Sequence, residues 1–119
     1  MTATPLLKKL IGGDLRSIGK SDEVVQDIIQ NPSLFGQVFE GMTHKDPIIR
    51  MRSADTIEKV SSQFLQYLQP YKDKLIETIS KIDQQEVRWH VAQLLSYLDL
   101  TDNDQKKAVA ILERYIDTS

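Results

Sequence analysis

A chain of 119 residues, with 40% hydrophobic and 27% charged residues, is long enough for one globular domain and too short for two ordinary ones. The 15 basic and 17 acidic residues give a net charge of −2, which argues against a broad basic surface for nucleic acid. The absence of cysteine excludes disulfides, thiolate nucleophiles and cysteine-ligated metals.

The N-terminal residues do not resemble a secretory signal, because no continuous apolar segment follows Lys8 and Lys9. No apolar run approaches the roughly 18–20 residues that span a bilayer. We therefore expect no membrane contact and a cytoplasmic location.

Helical periodicity dominates the chain and predicts an all-α fold. A short first helix is expected from Thr4 to Ile11, ended by Gly12 and Gly13, and the segment 14–19 is ambiguous. Ser21 is then predicted to be the N-cap of a helix that ends at Asn31. Five further helices are expected over about 32–43, 47–65, 70–82, 86–97 and 102–117.

Local signals mark where these helices begin. Asp46 is predicted to cap a helix with Pro47 at its first position, Pro70 to open the next pair, and Thr101 to cap the last helix. The loops are short, which makes successive helices antiparallel neighbours. We expect one domain over 1–119, with helix pairs over about 21–43, 32–65 and 70–98 and an unpaired last helix over 102–117.

A sequence pattern occurs twice, 38 positions apart, over residues 46–57 and 84–95. In both copies a β-branched residue precedes an arginine, an alanine follows four positions later, and an aliphatic residue comes three positions after that. The two arginines are Arg50 and Arg88. A fixed period of this length is typical of repeat proteins, in which stacked helix pairs supply the core.

These two segments, each preceded by a turn and an antiparallel helix, resemble HEAT-type (armadillo/HEAT) helical repeats. The resemblance covers about Pro32 to Ile116. It implies a right-handed α-α superhelix, a short solenoid that acts as a non-catalytic scaffold for a protein partner. It also implies that Asp46, Arg50 and Arg88 form a structural ladder between neighbouring repeats.

The exposed side of the two repeat helices is the candidate partner-binding surface. Trp89 takes the position that Met51 holds in the first copy, and Trp, Tyr, Met and Arg are enriched at protein interfaces. The alternative interpretation is that Trp89 is half-buried against a neighbouring helix. The predicted partner-binding residues are Met51, Arg52, Asp55, Lys59, Trp89, His90, Gln93 and Tyr97.

Other functions receive less support. A HEAT-like nucleic-acid binder or DNA-damage enzyme would need a basic surface, which Arg50, Arg52, Arg88, His90 and Trp89 could form on a small scale, although nucleic acid is not the expected partner. A purely structural module is a third possibility. The last helix is interpreted as a cap, as a homodimer contact, or as part of a longer solenoid.

The catalytic, cofactor and metal motifs that the sequence resembles are incomplete. Gly19-Lys20-Ser21 resembles the end of a phosphate-binding loop, but the glycine required five residues earlier is Asp14. Asp102, Asp104 and Glu113 have the spacing of calcium ligands, yet Lys107 stands at the loop's glycine position. We therefore expect no enzyme activity, no cofactor and no metal.

Overall fold

The computed structural model describes residues 18–118 of the chain, and side chains over residues 22–117. The described residues are helical and contain no strand, so the predicted all-α class is confirmed. The α-helices are α1 (Ile18–Gln30), α2 (Phe35–Gly41), α3 (Pro47–Gln63), α4 (Leu65–Leu68), α5 (Lys72–Glu77), α6 (Gln85–Leu95) and α7 (Asp102–Thr118). Three 3-10 turns join them, at Pro32–Leu34, Gln69–Tyr71 and Ile79–Lys81. The predicted helix over 4–11 lies outside the described residues.

Helix α1 differs from the sequence prediction at its start. Ser21 lies inside the helix, which already includes Ile18, so the prediction that Ser21 caps it is wrong. Ser21 does not start the helix, because residues 18–20 before it already have the helical conformation. The predicted end is confirmed, because Asn31 leaves the helical conformation with φ −138° and ψ 88°.

Helix α3 begins where the sequence predicted, because its start is specified locally. The Asp46 carboxylate accepts a hydrogen bond of 2.9 Å from the backbone N–H of Ile48, and Pro47 occupies the first turn. The helix ends at Gln63, shortly before the predicted residue 65, because Phe64 adopts φ −134° and ψ 76°.

The segment after Phe64 becomes helical earlier than predicted. Helix α4 precedes Pro70, which lies inside the 3-10 turn that leads to α5 and so does not start the helical stretch. Aromatic packing holds this segment on α2: the ring centroid of Tyr71 lies 4.6 Å from that of Phe39 and 5.4 Å from that of Phe35. Gly36 makes room for this contact, since a Cβ there would lie 2.6 Å from the Tyr71 hydroxyl oxygen.

Helices α6 and α7 end the described chain. Helix α6 is slightly shorter than the predicted 86–97, and α7 agrees with the prediction to within one residue. The start of α7 is a reciprocal cap: the Thr101 hydroxyl accepts from the Asp104 N–H at 3.1 Å, and the Asp104 carboxylate accepts from the Thr101 N–H at 3.3 Å.

The core lies between the corresponding helices of the two sequence copies and the shorter helices that precede them. Helix α3 packs against α1, α2 and α6. Its predicted inward residues Ser53, Ala54 and Ile57 are fully buried, as is Val91 on α6. By contrast, three apolar residues of α7 are exposed: Val109, Leu112 and Ile116.

Candidate functional site

An apolar groove lies between α6 and α7. It has a volume of about 580 Å³, and we call it the α6–α7 groove. Trp89 is 62% exposed there, Ile116 73% and Leu112 37%. Exposed apolar side chains that share a groove rimmed by polar residues are a feature of interaction sites. The lining residues are Gln85, Arg88, Trp89, Ala92, Leu112, Tyr115 and Ile116.

Helical periodicity explains why these residues share one surface. On α7, Ala108 and Ile111 face the core, whereas Leu112 and Ile116 recur four positions apart on the next stripe around the helix. On α6 the spacing of Gln85, Arg88, Trp89 and Ala92 likewise gives one face, beside the buried face formed by Val87, Val91 and Leu94. Each helix therefore presents apolar surface beyond the stripe that it buries.

Cationic side chains lie at one end of this groove, in it and in the pocket that adjoins it. A smaller pocket of about 270 Å³ adjoins it and includes Lys81, Arg88 and Arg114, with Arg88 and Tyr115 shared between the two cavities. Arg88 forms an ion pair with Asp83, and its guanidinium carbon lies 5.9 Å from the centroid of the Tyr115 ring. The groove thus combines an apolar floor with a basic rim.

Tyr115 anchors this end of α7. Its hydroxyl donates a hydrogen bond of 2.8 Å to the backbone carbonyl of Ser80. Burial raises the pKa of Tyr115 to about 12, although the nearby positive charges of Arg114 and Arg88 act in the opposite direction. The hydroxyl is therefore a neutral donor at physiological pH, and it holds α7 against the turn that precedes α6.

Arg50 links the two copies of the sequence pattern. Its Nε donates to the Gln84 side-chain oxygen at 2.7 Å, and its Nη1 donates to the carbonyls of His44 at 2.9 Å and Lys45 at 3.2 Å. Gln84 in turn donates to the carbonyl of Pro47 at 2.9 Å. Of the predicted ladder residues, Arg50 therefore bridges the copies, Asp46 caps its own helix, and Arg88 pairs with Asp83.

Three of the predicted partner-binding residues belong to one polar network across α3 and α6. His90 Nδ1 lies 2.8 Å from Glu58 Oε1 and His90 Nε2 lies 3.9 Å from Asp55 Oδ1. Lys59 Nζ lies 3.0 Å from Asp55 Oδ2. Burial acts to lower the pKa of Lys59, but the hydrogen bond and charge of Asp55 outweigh it, so the pKa is raised and the ammonium stays charged. Asp22 Oδ1 also lies 3.5 Å from Lys59 Nζ, so Lys59 contacts carboxylates of two helices.

The remaining predicted residues are placed differently. Met51, Arg52 and Tyr97 are half-buried and Gln93 is exposed. The alternative in which Trp89 is half-buried is wrong, since its side chain is largely exposed in the groove with α7. Several residues of the groove and its adjoining pocket were not predicted as site residues, among them Lys81, Gln85, Ala92, Leu112, Arg114, Tyr115 and Ile116. The three-to-four spacing of Gln85, Arg88 and Ala92 around Trp89 was the available signal for the α6 members.

Searches for other kinds of site and for relatives gave no match. Among residues 18–118, no group of three or more histidine and acidic side chains is placed to hold a metal ion. No helix in the described part of the chain is long and apolar enough to cross a membrane. Comparison with protein families, with curated proteins and with solved structures found nothing similar to this chain.

Proposed function

We propose that this protein is a non-catalytic binding scaffold built of HEAT-like repeats, and that the α6–α7 groove docks a helix of a protein partner. The observation that carries the proposal is the exposure of Trp89, Leu112 and Ile116 in one groove. Amphipathic helices bind such grooves through apolar anchors spaced three and four residues apart. An exposed Trp in a concave apolar surface is also typical of an interface hot spot.

The HEAT-like assignment is supported by the internal repeat. Helices α3 and α6 occupy corresponding positions in the two sequence copies, pack against each other, and are bridged by the Arg50–Gln84 hydrogen bond. We propose that the helix pairs continue as a short right-handed superhelix and that the scaffold works in the cytoplasm.

The experiment is a selection of helical peptides from a displayed library, followed by titration of the purified protein. Trp89 is the only tryptophan of the chain, so the emission of the protein reports on this groove. Peptides without tryptophan should shift that emission to the blue in a saturable way, because binding removes the indole from water. Ile116→Asp, which places a charge in the groove, should abolish the response.

A matched control distinguishes the groove from general surface stickiness. Leu65→Asp introduces the same charge at a residue that is 49% exposed on α4, outside the groove. It should leave peptide binding unchanged. Selected peptides that bind Ile116→Asp as tightly as the wild type would contradict the proposal.

Nucleic-acid binding is the second candidate, favoured by Lys81, Arg88 and Arg114 beside the exposed Trp89. It is less favoured because His90 lies against acidic side chains. The test is a titration with single-stranded and duplex DNA and RNA at several salt concentrations. Binding with a steep salt dependence would support this candidate over a protein partner.

A further inference from the structure

The face of α6 that borders the groove repeats the face of α3 on which α6 packs. Arg88 corresponds to Arg50 and Ala92 to Ala54, each 38 positions later. Ala54 is fully buried, whereas Ala92 is only half-buried. The two helices thus carry matching residues, and Ala92 on α6 is less covered than its counterpart Ala54 on α3.

Helix α6 is the element that packs on α3 from this side. The contact begins with the Arg50 Nε–Gln84 hydrogen bond of 2.7 Å, in which Gln84 immediately precedes α6. It continues with the 2.8 Å contact between His90 and Glu58. The way α6 sits on α3 is therefore a template for a helix that would sit on α6.

We infer that the α6–α7 groove receives an amphipathic helix of a partner protein that begins with an acidic side chain hydrogen-bonded to Arg88. This helix would pack on α6 as α6 packs on α3, with its apolar stripe on Trp89, Leu112 and Ile116. The inference rests on the proposed function and adds the chemistry that the partner must carry.

Arg88 is placed to bind the start of a helix in the same way that Arg50 binds the start of α6. Each arginine is anchored to the turn before its own helix, Arg50 through the carbonyls of His44 and Lys45 and Arg88 through Asp83. Arg50 donates to Gln84 at the start of the next helix, and a guanidinium group has five N–H donors, so one arginine can hold several acceptors at once. An acceptor side chain of the partner, hydrogen-bonded to Arg88, would occupy the position that Gln84 occupies beside Arg50.

Charge favours an acidic acceptor. Lys81 and Arg114 line the smaller pocket that adjoins the groove at Arg88, and Arg88 itself forms an ion pair with Asp83. A negative side chain in the first turn of a helix is also stabilised by the helix dipole. A second copy of this chain fits less well, because a two-fold contact would bring the same cationic rim to the interface from both subunits.

The probe is a pair of synthetic peptides based on residues 83–98, the segment that makes the template contact. Both carry Trp89→Phe, so that the protein's Trp89 alone reports binding. One carries Gln84→Glu and the other Gln84→Leu. We expect the Glu peptide to bind wild-type protein about 10-fold more tightly, the effect of one hydrogen bond between charged groups.

Two protein variants show whether Arg88 causes this difference in affinity. In Arg88→Met the two peptides should bind with dissociation constants within about twofold of each other. In Lys81→Met, the matched loss of a cation at the rim, the preference for the Glu peptide should persist. Circular dichroism verifies that both variants are folded, and raising the salt concentration should reduce the preference in the wild type.

The outcomes separate the inference from the proposed function. Peptides that shift Trp89 emission equally, with no dependence on Arg88, would overturn the inference and leave groove binding intact. No response to either peptide would overturn the inference, while library-selected binders lost in Ile116→Asp would still uphold the proposed function. A dimer by light scattering that Ile116→Asp converts to a monomer would identify a second copy as the occupant and overturn the inference.

Discussion

Replacing Ser53 by alanine should make the protein more stable, although it removes atoms from the core. Ser53 is fully buried on α3, and its hydroxyl has no hydrogen-bond partner among the described residues. Such an unsatisfied hydroxyl costs about 1–3 kcal/mol of desolvation. In the second copy the corresponding residue is Val91, which is apolar and also fully buried.

The expected gain follows from adding two effects and allowing for one loss. Relief of the unsatisfied hydroxyl contributes about 1 kcal/mol at the lower end of its range, and alanine is the better helix former by about 0.5 kcal/mol. The small space left by one oxygen atom offsets part of this. We expect Ser53→Ala to raise the free energy of unfolding by about 1 kcal/mol, or about 4 °C in the melting temperature.

The assay is urea unfolding followed by far-ultraviolet circular dichroism, with the slope m required to be unchanged. Ser80→Ala is the matched control, because Ser80 is equally buried but its hydroxyl donates to the Ile76 carbonyl at 2.5 Å. The Ser80→Ala variant should have an unchanged free energy of unfolding or one lower by up to about 1 kcal/mol. A Ser53→Ala variant less stable than the wild type, or one that behaves like Ser80→Ala, would refute the reasoning.

Three further predictions concern hydrogen bonds between elements. Arg50→Met should lower the free energy of unfolding by about 2 kcal/mol in urea, because it removes the bonds to Gln84 and to the preceding turn; an unchanged midpoint would contradict it. Tyr115→Phe should lower the free energy of unfolding by about 1 kcal/mol below pH 10. Since the pKa of Tyr115 is raised to about 12 in the folded protein, the wild type should lose this advantage as pH rises from about 10 through 12, and a constant gap across that range would be the contrary result. Asp104→Asn should lower the melting temperature at pH 7, and the difference in melting temperature from the wild type should disappear in acid. The hydrogen bond from Lys72 lowers the pKa of Asp104, so its stabilisation is present above the ordinary aspartate pKa of about 3.9 and is lost as pH falls through the lower folded value. A gap that persists in acid would argue against this.

The sequence predicted those helices whose boundaries are encoded locally. Asp46 and Pro47 specify the start of α3, and Thr101 specifies the start of α7, through bonds to residues two or three positions away. The segment after Phe64 was not predicted well, because its conformation depends on contacts with distant residues. Tyr71 packs on Phe35 and Phe39 of α2, more than thirty positions earlier in the chain.

Of the predicted partner-binding residues, Trp89 alone lines the α6–α7 groove. Its importance follows from residue type, because tryptophan is enriched at protein interfaces, and Leu112 and Ile116 complete the apolar lining from α7. These residues form one groove only because α6 lies beside α7, and no local sequence pattern encodes that packing. The pairing of His90 with Glu58 is likewise a contact across 32 positions of sequence, and it places His90 in a charged network.

The most direct test of the α6–α7 groove as a docking surface is a titration of isotopically labelled protein with a library-selected helical peptide, followed by amide chemical shifts. The groove predicts that the largest changes map to Trp89, Ala92, Leu112 and Ile116. Changes centred instead on Met51, Asp55 and Lys59 would place the interface on the face of α3, and would contradict the proposal that the groove binds the partner.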